Sequence, residues 1–263
     1  MFSVLSVTFR GVLRDRVFHG ILMTAVVFLG IPSVSSLSMR QVTELSLTLA
    51  LSLVSFILLL LSIFLGGTSL WKDMERRYTF SVLGLPISRS SYLLGRFSGV
   101  ALFILVATIV LGAACCVVVW YVSSVYPPDR PIVWTNILLS LLFDSFKYIL
   151  LVSFAFLFST VSTSFFLPVF GAISIFLVGS ATQEAYDFIH TPTGQSLPAI
   201  IKALATILYY LLPNFAAFDL KVNAIYAVKV SPSGLLLTTL YFCVYTAIIL
   251  LLSSALFSRR ELV

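Results

Sequence analysis

The sequence predicts an all-α integral membrane protein: six transmembrane helices, an interfacial helix at the amino end, a cytoplasmic helix between spans 2 and 3, and an outer re-entrant hairpin before span 6. Three observations predict it. The 263 residues are 60% hydrophobic and only 10% charged, with a mean hydropathy of +1.10, and a soluble domain carries far more charge over its surface. Apolar runs recur near the length of about 20 residues that crosses a bilayer. The basic residues gather beside those runs. A net charge of +6 invites a nucleic-acid reading, but topology setting and attraction to anionic lipid account for it. The expected contact is the lipid bilayer, with no nucleic acid. Cys115, Cys116 and Cys243 all lie inside apolar runs, where small apolar packing explains them.

Residues 1–17 place Phe2, Leu5, Phe9 and Leu13 at helical spacing, with Arg10, Arg14 and Arg16 on or beside the polar side. That pattern predicts a helix in the membrane interface. A first span follows at about 18–38, interrupted by Pro32; it has no clear cleavage site, so no removed signal peptide is expected. The second span covers about 46–71 and the third about 97–122, ended by the turn-rich YPPDRP at 126–131. A long fourth run covers about 132–159. The fifth, about 165–181, contains Pro168, Gly171 and Gly179, and the last covers about 234–257.

Between them, 182–233 is ambiguous, with an apolar piece at 199–218 broken by Pro213. Read as a full span, that piece would put the two termini on opposite sides. Charge decides against it. With six spans, ten basic residues fall in cytoplasmic segments and five outside, with Lys147 left in a span. The positive-inside bias then places both termini in the cytoplasm. The sequence therefore predicts a re-entrant or interfacial hairpin at 199–218, tolerable at that depth only where protein covers it or water reaches it. The whole of 1–263 reads as one transmembrane domain. No Gly-rich phosphate loop ending in Gly-Lys-Ser/Thr is present, so this chain alone takes no energy from nucleotide.

Trp71 to Phe97 is the one sizeable polar island joining two long apolar runs, and it holds five of the 16 basic residues: Lys72, Arg76, Arg77, Arg89 and Arg96. Trp71, Met74, Tyr78, Val82 and Leu85 recur at three- to four-residue spacing, which predicts a short amphipathic helix along the cytoplasmic face. Pro86 stops it, and Ser88 or Ser90 can cap the helix that becomes the third span. The charged tip of such a helix–turn–helix can seat in a groove on another protein. The plainer reading is a basic loop that fixes topology, its arginines solvated.

The residues of the island run Asp73-Met74-Glu75-Arg76-Arg77-Tyr78-Thr79, then Val82-Leu83-Gly84-Leu85-Pro86-Ile87-Ser88-Arg89, then Tyr92-Leu93-Leu94-Gly95-Arg96-Phe97. They closely resemble the signature of type-2 ABC transporter permeases, in the branch grouped with the multicopper-enzyme-maturation permease NosY. Tyr78 is inserted or substituted before Thr79, Ile87 replaces a valine and Arg96 a lysine, changes that keep charge and shape. Phe9-Arg10 with Leu13-Arg14 and Arg16 is similar to the family's interfacial elbow helix. Leu211-Leu212-Pro213-Asn214-Phe215 resembles its Leu-Pro-Asn element, and Leu256-Phe257-Ser258-Arg259-Arg260-Glu261-Leu262 its carboxyl terminus.

The resemblance implies a six-span permease that pairs with a second copy of itself in the cell inner membrane. It implies two copies of a separate ABC ATPase subunit, which would use the ATP and Mg, and no cofactor or enzyme activity in this chain. Export is the direction the family favours. In such families the loop between spans 2 and 3 is the coupling element, so the resemblance assigns ATPase coupling to Glu75, Arg76, Arg77, Pro86, Ser88 and Arg89. Arginine's planar fork suits charge-assisted bonds to carboxylates on a partner.

Asp144 and Lys147 lie three apart in the fourth run, on one face if it is helical. In one straight span they are near mid-membrane and belong to a translocation cleft or dimer interface. If 132–143 is instead an interfacial helix, they sit at the outer boundary. Glu184, Asp187 and His190 are too few for a closed metal site and read as a solvated loop. With His19 as the other histidine, an intramembrane zinc protease is excluded. Ser62, Gly66 and Gly67 give the second span a small-residue face for close helix approach. Two rival readings remain: a membrane-embedded enzyme using Asp144 and Lys147 as acid and base, and a scaffold that recruits partners without transport.

Overall fold

The computed structural model describes residues 20, 23, 26, 27, 30–38, 41–75 and 88–259. The predicted interfacial helix at 1–17 and most of the first span fall outside them. The described chain is all-α and of the multi-pass membrane type, and no strand occurs among the described residues. Its helices are α1 (Ile31–Ser35), α2 (Val42–Glu75), α3 (Arg89–Val125), α4 (Trp134–Val161), α5 (Phe166–Ile189), α6 (Ala199–Leu211), α7 (Lys221–Ile225) and α8 (Pro232–Arg259). Among the described residues five helices are long and apolar enough to cross a membrane, or six if the bent pair α6–α7 counts as one.

The central element is α4, whose apolar stretch is 78% buried against 11% for α8. Lipid tails are as apolar as leucine, so packing rather than hydrophobicity gathers such helices. Small residues make the packing close. A Cβ on Gly66 would stand 2.9 Å from the Ala155 Cβ on α4, and one on Gly67 would stand 2.9 Å from the Val169 side chain on α5. Two buried serines of α4 bond back to their own helix: Ser145 to Leu142 O and Ser153 to Leu150 O, both at 2.6 Å. Each satisfies a polar group that lipid would leave bare.

The contacts sort the helix ends into two sets. At one end of the bundle Trp71 of α2 meets Phe165, just before α5, with ring centroids 5.7 Å apart. There too, Tyr92 of α3 stacks on Phe257 of α8 at 6.4 Å. At the other end Thr43 donates to Tyr126 O at 2.7 Å, and Arg130 lies over the Tyr226 ring at 5.1 Å. Asn136 donates there to Asn223 O and Val228 O at 2.9 and 3.0 Å.

The hairpin leaves from and returns to that second end. α6 runs back along α5, with Tyr209 stacked on Tyr186 at 4.1 Å. The chain breaks at Leu212–Phe215, where the Phe215 N–H donates to Gly179 O at 3.3 Å and Asn214 donates to Gln183 Oε1 at 2.7 Å. It then bends by 52° and reaches Asn223 at the start of α4. Phe215 and Phe218 are fully buried. Non-helical backbone at this depth is thus covered by protein, as a bilayer demands.

Three boundaries differ from the sequence expectation. Trp71 to Glu75 continue α2 without a break, because nothing there interrupts the helix; they do not begin a separate amphipathic one. Residues 76–87 lie outside the described chain. α3 starts at Arg89, eight residues before the expected span, because Ser88 caps it: its Oγ accepts from the Ser91 N–H at 3.2 Å. α5 continues to Ile189 instead of ending near 181. The polar Gln183 and Asp187 support that extension as an i,i+4 pair, with Gln183 Nε2 donating to the Asp187 carboxylate at 2.9 Å.

A Cβ at Gly179 would lie 2.5 Å from Pro213 O and 2.8 Å from the Phe215 ring, so it must displace the hairpin. Gly179→Ala is expected to cost about 1–3 kcal/mol, read as a lower Tm of the detergent-purified protein. Gly30→Ala, where no described residue lies within 4 Å of the added Cβ, serves as the control.

Candidate functional site

The last turn of α2 carries Asp73, which is buried. Tyr92 and Arg96 stand four residues apart on α3, hence on one face and one turn inside the Ser88 cap. The Asp73 carboxylate accepts from the Tyr92 hydroxyl and is held at both oxygens by Arg96, through Nε and Nη2. This two-point, charge-assisted pairing is strong and directional. The other face of the junction belongs to α8. Arg89 Nη1 donates to Ser258 O at 3.2 Å, a cation at a helix C-terminus where the exposed carbonyls favour one. Phe257, fully buried, stacks on Tyr92. Three long helices therefore meet at the two points where residues 76–87 join the bundle.

Of the residues assigned to coupling, Arg89 and Ser88 stand at this junction, and Ser88 is occupied as the cap of α3. Glu75 ends α2; its side chain, together with Arg76, Arg77 and Pro86, lies outside the described residues. Asp73, Tyr92 and Phe257, which hold the junction, stand in the motifs quoted above but carry no role assigned from sequence. Asp73 reads there as one acid diluted in a basic island. The available signal was an acid at a span's end followed by Tyr and Arg at i and i+4 on the next helix.

Asp144 and Lys147 are both buried in α4, with Lys147 Nζ 3.7 Å from Asp144 Oδ1. α4 is continuous from Trp134, so the pair lies about 15 Å along it and no separate interfacial helix precedes it. Lys147 Nζ also lies 5.3 Å from the Tyr148 ring centre and 5.8 Å from that of Phe176. Tyr148 and Ser55 of α2 share a hydrogen bond of 2.7 Å, and among the described residues none donates a hydrogen bond to Asp144 Oδ1. Asp219 and Lys221, at the return of the hairpin, act on the pair electrostatically. Within one chain the pair faces α2, α5 and the hairpin rather than an open cleft.

Glu184 and Asp187 ride on the extended α5 rather than on a loop, and His190 Nδ1 lies 2.8 Å from Tyr186 O at its end. No group of three or more metal-ligating side chains occurs among the described residues. His19 lies outside them.

Geometry and composition together define the class: a multi-pass, all-α membrane protein with a charged junction at one end of its bundle. No protein-family model matches the chain, and no curated protein matches it either.

Removing one partner of a buried ion pair strands the other charge, at about 3–5 kcal/mol. Lys147→Met is therefore expected to lower the Tm of the purified protein sharply. The double variant Asp144→Leu/Lys147→Met should recover most of the loss. A Tm for the double variant as low as for Lys147→Met would show that the pair is not mutually compensated.

Proposed function

We propose that the chain is the membrane-spanning permease subunit of an ATP-driven, ABC-type transporter, working as an exporter with ATP hydrolysed on a separate subunit. The observation that carries the reading is the junction of Asp73, Tyr92 and Arg96 with Phe257 and Ser258. It mounts three long helices on a basic segment whose sequence resembles the coupling motif of type-2 ABC permeases.

In this reading the 76–88 segment faces the cytoplasm, where the basic bias puts both termini, and the membrane is the cell inner membrane. Two identical chains form a cleft between them, and two ATPase subunits dock beneath. ATP and Mg belong to those subunits; this chain is not itself an enzyme. Closure of the ATPases pushes the 76–88 segment. The push enters α2 through Asp73, α3 through Arg89 and Arg96, and α8 through the Arg89–Ser258 bond. Stiff helices carry the tilt across the bilayer, and the hairpin at 199–218 closes the far end as a lid. The rival that uses Asp144 and Lys147 as acid and base is less well supported, since both are buried. A scaffold would form complexes without ATP-dependent flux.

The test is co-expression with a P-loop ATPase subunit and its co-purification with this chain. Arg76→Glu/Arg77→Glu should insert normally yet lose ATP-driven export by about tenfold or more, as expected when docking charges are reversed. Normal export by that variant would contradict the coupling role, and full export with no ATPase partner would contradict the transporter class.

A further inference from the structure

An open groove of about 440 Å³ runs between the hairpin and α8. Tyr209 and Tyr210 of α6, Asn214 at the turn, and Thr238, Tyr241 and Tyr245 of α8 line it. The volume falls in the range of small-molecule sites, roughly 300–1,000 Å³. None of the described lining residues carries a charge. The rings do not stack into one wall: Tyr209 and Tyr210 stand at 78°, Tyr241 and Tyr245 at 51°.

Several polar atoms of the groove are already engaged within the protein. The Tyr241 hydroxyl accepts from the Asn214 N–H at 3.0 Å, and the Tyr245 hydroxyl donates to Leu211 O at 2.8 Å. The Asn214 side chain donates to Gln183 at 2.7 Å and accepts from the Ala217 N–H at 3.3 Å. Four tyrosine rings dominate the walls of the groove, and their electron-rich faces attract a cation that needs no hydrogen bonds. Glu184 and Asp187 are exposed on either side of Tyr186, which stacks on Tyr209. The basic residue of α6, Lys202, donates to Gln195 O at 3.2 Å. Exposed Leu204 and Ile207 on α6, and Leu237, Leu240 and Val244 on α8, supply apolar surface for a tail.

We propose that this groove binds a lipophilic quaternary ammonium, its head among Tyr209, Tyr210, Tyr241 and Tyr245 and its alkyl chain along α8. The site is a property of the single chain and does not depend on an ATPase partner.

The test is calorimetric titration of the purified full-length chain, free of choline lipid. The probes are octyltrimethylammonium and octyldimethylamine oxide, a neutral head of similar size. The cation should bind about tenfold tighter, as several cation–π contacts allow. Tyr209→Leu/Tyr210→Leu should abolish that preference, and Tyr209→Phe/Tyr210→Phe should keep most of it, with thermal unfolding confirming that both variants fold. Equal affinity for the two probes in the unaltered chain would overturn the proposal, as would a preference that survives the leucine pair. Excess short-chain phosphatidylcholine distinguishes the sources within the same chemistry. Competition assigns the site to a choline lipid headgroup, and its absence to a free organic cation.

Discussion

In a bilayer no water stands ready to satisfy a polar group, so polar groups in this chain are driven to find partners within the protein. That constraint explains features that would otherwise look unrelated. Serines of α4 bond to their own helix backbone. The broken backbone at Leu212–Phe215 finds Gly179 O and the Tyr241 and Tyr245 hydroxyls. Lys147 lies against Asp144 and two aromatic rings, and Asp73 takes donors from both Tyr92 and Arg96.

The same constraint gives the bundle its mechanical character. A carboxylate bound at both oxygens cannot slide without losing directed bonds, so Asp73 fixes the end of α2 against α3. Arg89 and the Tyr92–Phe257 stack add α8 to that joint. At the opposite end the hairpin is tied to α5, α4 and α8 through side chains and a single backbone bond. One end is thus held by a two-point charged joint, and the other by contacts that a shift of α8 would loosen. α8 itself is the least buried of the long helices in the described chain, leaving most of its surface outside the bundle.

Much of the fold is legible in the sequence because it is written in hydropathy. The apolar helices of the described chain, the Ser88 cap and the break at Pro213 each have a local cause, and the cap and the break lie where local rules place them. The extension of α5 through Asp187 is less visible: Thr191-Pro192 marks the stop, yet polar residues before it read as loop until the Gln183–Asp187 pairing is seen. The Asp73 junction is the least legible part. Its partners are 19 and 23 residues away, and Ser258 lies 169 residues from Arg89. No periodicity links such positions; only the packed bundle does. The tyrosine groove is hidden for the same reason, since Tyr209, Tyr210, Tyr241 and Tyr245 come from two helices that meet only because the hairpin turns back.

The central claim is that the junction and the basic segment it carries lie on the cytoplasmic side, opposite the hairpin. It is tested most directly by sidedness labelling in a variant lacking Cys115, Cys116 and Cys243, with single cysteines placed at Ser88, Ser258 or Ser231, all exposed. Sealed right-side-out and inside-out vesicles are treated with a membrane-impermeant maleimide. The account predicts that Ser88→Cys and Ser258→Cys react only from the cytoplasmic face and Ser231→Cys only from the outer one. Labelling of Ser88→Cys from outside, or of Ser88→Cys and Ser231→Cys from the same face, would contradict it.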